Sequence, residues 1–342
     1  MAVNLDSRIV IAGAGSIGCY IGGCLAAAGR NVTLLLREPL AEAISRHGLR
    51  VSDLSGGDET VQPSSLKLAT DPATAFGAAD VVLVTVKCRH TREIAELIAR
   101  YAPESAVVQS LQNGVNNAAV LGEMLGPRRV VSGMIPFNVV QTRKDKEAPR
   151  FHCASSGTIQ IGHGVEGLRG LLDVPGAPFA EHADIEALLW SKLLVNLNNA
   201  LNALSDLPLA KELGDRRWRL LLRRQMHEGL AALRAAGIYP ARIEGVSPRL
   251  IAFALRLRDP VFGLVARRML AVDPSARSSM WEDLEARRPT EIDYIQGEIV
   301  RLAEQHGLQA PLARRVMNCI KEAEAAAKGS PRLDPAAIKA GL

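Results

Sequence analysis

The stretch RIVIAGAGSIG, Arg8 to Gly18, decides the reading of the fold. Its first half is a short apolar, β-branched run that ends at glycine, which predicts a buried strand. Its second half, Gly13, Ala14, Gly15, Ser16, Ile17 and Gly18, fits the spacing G-x-G-x-x-G. That spacing is weak in isolation, because glycine-rich turns are common. Here it follows a strand and opens a helix, where its mechanism needs it. Gly13 permits a tight turn, and Gly15 lets backbone N–H groups approach a pyrophosphate. Gly18, with Gly22 and Gly23 after it, lets the helix pack close to the sheet. The helix N-terminus adds partial positive charge toward the phosphates, so a dinucleotide is the implied ligand.

Outward from this loop, strand-like and helix-like segments alternate. SIGCYIGGCLAAAG has helical spacing and closes at Gly29 as a C-cap. NVTLLL, ADVVLVTV, SAVVQSL and RRVVSGM read as further strands, and TREIAELIARYA as an amphipathic helix. Buried strands alternating with helices predict an α/β Rossmann unit, doubly wound around a mostly parallel sheet. The strands and turns of 150–182, beginning FHCASSGTIQIGHG, are expected to extend that sheet. From about Asp184 strand signals vanish, and long helical patterns such as RRWRLLLRRQMHEGLAALRAAG and TEIDYIQGEIVRLAEQHG take over. The expected division is therefore a dinucleotide-binding domain over 1–182 and an all-α domain over 183–342. Residues 329–342 are expected to form a loosely held tail.

Composition bounds the function classes. The net charge of +5 lies wholly in the second half: residues 1–182 carry 17 basic and 17 acidic side chains, residues 183–342 carry 24 and 19. Arg216, Arg217, Arg219, Arg223 and Arg224 cluster there, and with few aromatics beside them they read as a solvated helix face. No stacking platform for nucleic acid is visible. A modest positive field still suits small anionic ligands. The five cysteines, Cys19, Cys24, Cys88, Cys153 and Cys319, have no paired spacing, and the histidines are scattered. That excludes a disulfide framework and a metal site, and points to reduced thiols in a cytoplasmic protein. Cys88 follows Lys87 but has no evident base, so it reads as a buried structural thiol. Asp6 and Arg8 beside a short apolar run do not make a signal peptide, and no apolar run approaches the roughly 20 residues of a membrane span.

The second strand bears on which dinucleotide binds. Sites for NAD usually end this strand with an acid that holds the ribose 2′-hydroxyl. Here NVTLLLR ends at Arg37, whose guanidinium fits a 2′-phosphate through paired charged hydrogen bonds. That favours NADP(H), with Glu38 able to serve the hydroxyl if the register shifts.

LLWSKLLVNLNNALNAL, Leu188 to Leu204, places one lysine and four asparagines in a leucine-rich helix. With Lys192 at zero, Asn196 falls at about 40° and Asn199 at about −20°, while the leucines fall between about 100° and 200°. Asn198 and Asn202 lie off both stripes. A solvated face would carry Glu, Lys and Gln rather than asparagines, which cost helix stability. An amine and two amides on one stripe therefore point to ligand contact.

Taken together, GAGSIG with Arg37, VTVK ending at Lys87, SLQNG with Asn113, WSKLLVN with Lys192 and Asn196, and SSMWEDLEARRPTEIDYIQG resemble the ketopantoate reductase family, the 2-dehydropantoate 2-reductases. The resemblance implies NADPH-dependent reduction of 2-dehydropantoate to (R)-pantoate, on the route to coenzyme A. It implies that Lys192 donates the proton and that Asn113 and Asn196 hold the substrate, Asn113 also touching the cofactor. Ser279 matches the serine on the substrate carboxylate, Glu291 the cofactor-side glutamate, Lys87 a lysine near the cofactor, and Val139 a backbone contact. Asn113 read alone is equally turn chemistry, and Glu291 read alone is equally a helix-face salt bridge with Arg288. The chain departs from the family pattern at Ala200, where a second helix asparagine is usual, with Asn199 as the candidate substitute.

The chemistry expected of these residues is hydride transfer from nicotinamide C4 to a ketone carbon, with Lys192 protonating the alkoxide. An ordinary lysine has a pKa of about 10.4, and desolvation at a cleft between the two domains is expected to lower it. Amides donate to the developing oxyanion without a competing ionisation. The rivals are a reductase of another branched 2-oxo acid and a non-catalytic NADPH-binding sensor. An apolar stripe exposed on a long helix would support a homodimer.

Overall fold

A computed structural model describes residues 3–126, 129–143, 147–266 and 276–340. The chain divides into two compact units, Met1–Ile185 and Glu186–Leu342. In the first, the strands are β1 (Ile9–Ala12), β2 (Val32–Leu35), β3 (Leu49–Ser52), β4 (Asp58–Val61), β5 (Lys67–Ala69), β6 (Val81–Val84) and β7 (Val107–Ser110). They are followed by β8 (Val130–Val131), β9 (Gly133–Met134), β10 (Val139–Thr142), β11 (Arg150–Cys153), β12 (Ile159–Ile161) and β13 (Phe179–Glu181). The helices of this unit are α1 (Ser16–Ala27), α2 (Glu38–His47), α3 (Pro72–Phe76), α4 (Thr91–Tyr101), α5 (Asn117–Leu125) and α6 (Leu168–Leu172).

The main sheet has the order β5-β2-β1-β6-β7-β8, and all its neighbours are parallel. From β1 the chain winds first toward β5, then returns to β6 and winds the other way, which is a doubly wound fold. Burial on both faces explains the continuous apolar strands. Ile9, Ile11, Val81 and Leu83 point into one core with α1 and α2, while Val10, Ala12, Val82 and Val84 point into another with α3, α4 and α5. Helix α4 buries Thr91, Ile94, Ala95 and Ile98, one face at helical spacing. Helix α1 stops where Gly29 takes φ +77, its N–H on Ala26 O and the next on Leu25 O.

The strands of 150–182 do not extend this sheet, contrary to the sequence expectation. RRVVSGM is broken at Ser132: β8 closes the edge of the main sheet with two residues, and β9 starts another. β12 then pairs with β9 and β13, while β11 joins β3, β4 and β10 in a four-stranded sheet. Each late strand finds a partner that has already left the parallel sheet, so the extra strands make two side sheets.

The second unit is helical among its described residues. Its helices are α7 (Ile185–Ser205, beginning one residue before the division), α8 (Leu209–Gly214), α9 (Arg216–Ala235), α10 (Pro248–Ala254) and α11 (Asp259–Val265). The rest are α12 (Ser279–Glu285), α13 (Ile292–Gln305), α14 (Pro311–Ala326) and α15 (Pro335–Lys339). Two expectations are corrected here. The arginine cluster is not wholly a solvated face, because Arg219 lies on the buried stripe of α9 with Leu222, Met226 and Gly229 and is 0% exposed. Its guanidinium donates to the carbonyls of Leu213, Gly214, Leu255 and Leu257 and to Asp259, and it stacks on Phe262. Nor are the described residues of the tail, 329–340, loose. Ile338 is fully buried, Leu333 N–H binds Leu204 O at 2.8 Å, and Asp334 caps α15 while pairing with Arg217. An apolar residue with a place in the core holds the tail down.

The five cysteines form no disulfide and are buried. Among the described residues no group of His, Cys, Asp or Glu could hold a metal ion, and no helix is long and apolar enough to cross a membrane.

Candidate active site

Because the strands of the main sheet are parallel, the residues just after β1, β2, β6 and β7 share one edge, the carboxyl edge where doubly wound sheets bind ligands. The glycine loop follows β1 there. Gly13 has φ +86, and a Cβ on it would stand 2.2 Å from Val86 Cγ1, so glycine alone fits. Gly18 lies against the sheet, where a Cβ would meet Thr85 Oγ1 at 2.6 Å and Ile11 Cγ2 at 2.8 Å. Gly15 differs: it is exposed, and a Cβ there would meet only Gly13 O, at 4.0 Å. It stands at the N-cap of α1, and no side chain caps that helix. Ala14 N–H bonds Leu35 O at 2.9 Å and Thr85 Oγ1 donates to Gly13 O at 2.9 Å, fixing the loop to both neighbouring strands. Ser16 and Ile17 open the helix, half-buried. A rigid turn with space above Gly15 and an uncapped helix terminus fits a pyrophosphate.

Arg37 ends the segment after β2, exposed, as the N-cap of α2, with Glu38 exposed beside it. Lys87 follows β6 and Asn113 follows β7, both half-buried. Their loops are clamped together. Cys88 Sγ donates to Asn113 O at 2.8 Å, and Gln112 Nε2 donates to Val86 O and Thr91 Oγ1. Thr91 Oγ1 in turn lies 2.8 Å from Cys88 O and from Asn117 Oδ1. Cys88 is thus a structural thiol that ties the Lys87 loop to the Asn113 loop. Val139 is buried in β10, opposite Cys153 in the four-stranded side sheet, and belongs to the same apolar core as Ala14 and the first turns of α1.

In the second unit, Lys192, Asn196 and Asn199 are half-buried on α7, while Leu193, Leu194, Leu197, Leu201 and Leu204 are buried. Ala200, at the family's second asparagine position, is also buried. Asn198 and Asn202, which fit neither stripe, turn out to be core residues. Both side-chain amides donate to Glu212 Oε2 on α8, at 3.0 and 3.2 Å. Asn202 also donates to Leu207 O and accepts from Ser278 N–H at 2.8 Å. Ser278 caps α12 and donates its hydroxyl to Asn199 O at 2.8 Å, so half-buried Ser279 starts its helix against α7. Glu291 is the buried N-cap residue of α13, a helix tied to α7 by Gln296 Nε2 on Leu197 O at 2.9 Å. Arg288 pairs with Asp283 at 3.2 Å.

Sequence reasoning missed Ser278 and Glu212. Ser278 had a signal, since a serine three residues before Trp281 at a helix start is an N-cap pattern. Glu212, in LPLAKELG, had none.

Burial of Glu212 raises its pKa to about 8, against the opposing pull of the two donating amides. A carboxyl raised on folding holds a proton that the unfolded chain has already lost. Its stabilising contribution is therefore complete below the unfolded value near 4.5 and declines as pH rises toward about 8. Glu212→Gln is expected to remove up to about 1.4 kcal/mol per pH unit of that decline. Urea unfolding at pH 5.5, 6.5 and 7.5 measures it, and parallel slopes for the two proteins would refute it.

Fold and site together define an oxidoreductase of the dinucleotide-dependent kind, with a doubly wound unit followed by a helical unit that carries a lysine and amides. The chain belongs to the ketopantoate reductase family: the model described as ketopantoate reductase PanE/ApbA matches residues 9–166, and its C-terminal companion matches residues 184–324. A 2-dehydropantoate 2-reductase of Halobacterium salinarum is 29% identical, over 93% of this chain and 99% of that protein. The crystal structure of a PanE/ApbA family ketopantoate reductase from Ralstonia eutropha JMP134 is 29% identical with TM-score 0.78, covering 94% of this chain and 99% of that one. A dimeric ketopantoate reductase from Staphylococcus aureus shares the fold at 19% identity and TM-score 0.67, covering 94% and 99%.

Proposed function

We propose that this protein reduces 2-dehydropantoate to (R)-pantoate with NADPH, in the supply of pantothenate and coenzyme A. The observation that carries the reading is the half-buried stripe of Lys192 and Asn196 on α7, beside an α12 whose cap is bound to the Asn199 carbonyl. Its relatives of similar length that bear the reductase name support it.

When bound, the reduced nicotinamide supplies a hydride from C4. The chain's own residues do the rest. Gly13–Gly18 and the first turn of α1 would hold its pyrophosphate, with Lys87 and Asn113 following the neighbouring strands. Asn196, Asn199 and Asn113 donate to the oxo acid, and Ser279 takes its carboxylate, orienting the ketone carbon. As negative charge develops on the ketone oxygen, amides stabilise it and the Lys192 ammonium gives it a proton. Glu291 steadies the lysine or a ribose hydroxyl.

The cofactor choice rests on Arg37. A guanidinium bound to a 2′-phosphate makes charge-assisted hydrogen bonds, so Arg37→Ala is expected to raise the KM for NADPH by about 10- to 100-fold and leave that for NADH within about threefold. Initial rates with each nucleotide on ketopantoate check this. Wild-type preference for NADH would hand the role to Glu38.

Buried Ala200, where the family usually has an amide, favours a second reading, a reductase of another branched 2-oxo acid. A panel of 2-oxo acids compared by kcat/KM separates the two, and ketopantoate losing by more than about 100-fold would decide for the second. Five reduced, buried thiols support a cytoplasmic setting. A homodimer also belongs to this reading. Five of the exposed large apolar residues, Leu250 and Phe253 on α10 and Val261, Leu264 and Val265 on α11, lie on short helices and support that reading.

A further inference from the structure

Four residues outside the predicted set form one connected polar chain inside the helical unit. Glu212 is fully buried on the short helix α8, yet its Oε2 takes two amides from α7, Asn198 Nδ2 at 3.0 Å and Asn202 Nδ2 at 3.2 Å. Asn202, also fully buried, spends its second N–H on Leu207 O at 2.9 Å. With both N–H groups claimed by acceptors, the amide has one orientation, and its Oδ1 must point the other way. It points to Ser278 N–H, 2.8 Å away and 76 residues further along the chain. Ser278 then donates its hydroxyl to Asn199 O at 2.8 Å and accepts from Trp281 N–H at 3.2 Å. The backbone on the N-terminal side of Ser279 is therefore bound to α7 at two points, one of which depends on how Asn202 is turned.

We propose that Glu212 is a positioning residue of the oxo-acid site, fixing the Asn202 amide so that Ser278, and with it Ser279, is held in place against the lysine–asparagine stripe of α7. The proposal rests on the reading above only in taking Ser279 as the carboxylate contact; the chain of hydrogen bonds is independent of it. A buried carboxyl that merely filled space would be replaced without penalty by an apolar residue of similar size. An acceptor that sets an amide's orientation is replaced only by another acceptor. Glu212→Gln keeps that acceptor, whereas Glu212→Leu removes it.

The test is steady-state kinetics with 2-dehydropantoate and NADPH on wild type, Glu212→Leu, Glu212→Gln and Asn202→Leu, with NADPH affinity from fluorescence titration. Glu212→Leu is expected to raise KM for the oxo acid about tenfold, with kcat within about threefold and NADPH affinity within about twofold. Glu212→Gln is expected to bring KM back to within about threefold of wild type. Asn202→Leu cuts the next link and is expected to give the same KM rise, less than additive with Glu212→Leu. It carries the test if Glu212→Leu does not fold. Unchanged KM in a leucine variant, with lowered thermal stability only, would overturn the proposal, as would equal losses of oxo-acid and NADPH binding.

If the wild type turns over no 2-oxo acid, the proposed function falls and the positioning is read from amide hydrogen exchange at 278–281. Protection lost in a leucine variant and restored in Glu212→Gln supports it. Protection that survives in both leucine variants overturns it.

Discussion

Lys192→Ala is expected to lower kcat by about 100- to 10,000-fold while NADPH affinity stays within about twofold. The magnitude follows from the role. An alkoxide formed from the ketone needs a proton, and general acid catalysis by a positioned group contributes about that range. The side chain stands half-buried, on the same stripe as Asn196. Lys192→Arg is the sharper variant, since arginine keeps the charge but holds its proton too tightly to give it up. It should fall in the same range as alanine. Single-turnover oxidation of NADPH with ketopantoate measures both. Alanine retaining more than about a tenth of wild-type kcat would move the proton donor elsewhere, and nucleotide binding without turnover in the wild type would leave a sensor.

The second large effect concerns stability. Arg219→Met is expected to cost about 3–5 kcal/mol of unfolding free energy. Four backbone carbonyls, of Leu213, Gly214, Leu255 and Leu257, take their hydrogen bonds from this one buried guanidinium. Asp259 is more than half exposed, so its ion pair with Arg219 adds little by itself. Most of the loss arises from the buried Leu255 carbonyl and the half-buried Leu213 and Leu257 carbonyls left without this donor. Arg219→Lys should recover only part, because an ammonium cannot serve acceptors on three sides of a planar fork. The urea midpoint falls with the denaturant slope unchanged if this is right. A loss below about 1 kcal/mol for Arg219→Met would mean that water replaces the guanidinium.

The features legible in the sequence were those written in local periodicity. RIVIAG, NVTLLL and ADVVLV are buried on both faces, so each shows as an unbroken apolar run. The glycine loop is a local turn, and its demands on Gly13 and Gly18 concern neighbours one strand away. The stripe of Lys192, Asn196 and Asn199 is read from helical angles alone. Arg219 shows where this fails: an arginine among arginines looks solvated, and only the loops ending α8 and α10, folded back over α9, supply the acceptors that bury it. Asn198 and Asn202 were visible as misfits on α7 with no purpose, because the purpose lies in Glu212 and Ser278.

By itself the sequence determined a doubly wound sheet with a dinucleotide loop, a helical second unit, and a lysine flanked by amides. The tertiary structure alone decided which sheets the late strands join, that the C-terminal segment is anchored through Ile338, and that half of the asparagines on α7 are core residues. The physical reason is range. Strand and helix patterns repeat within a few residues, whereas strand partners and acceptors for buried polar groups are supplied by segments tens of residues away, as Ser278 is for Asn202 and Asp259 for Arg219.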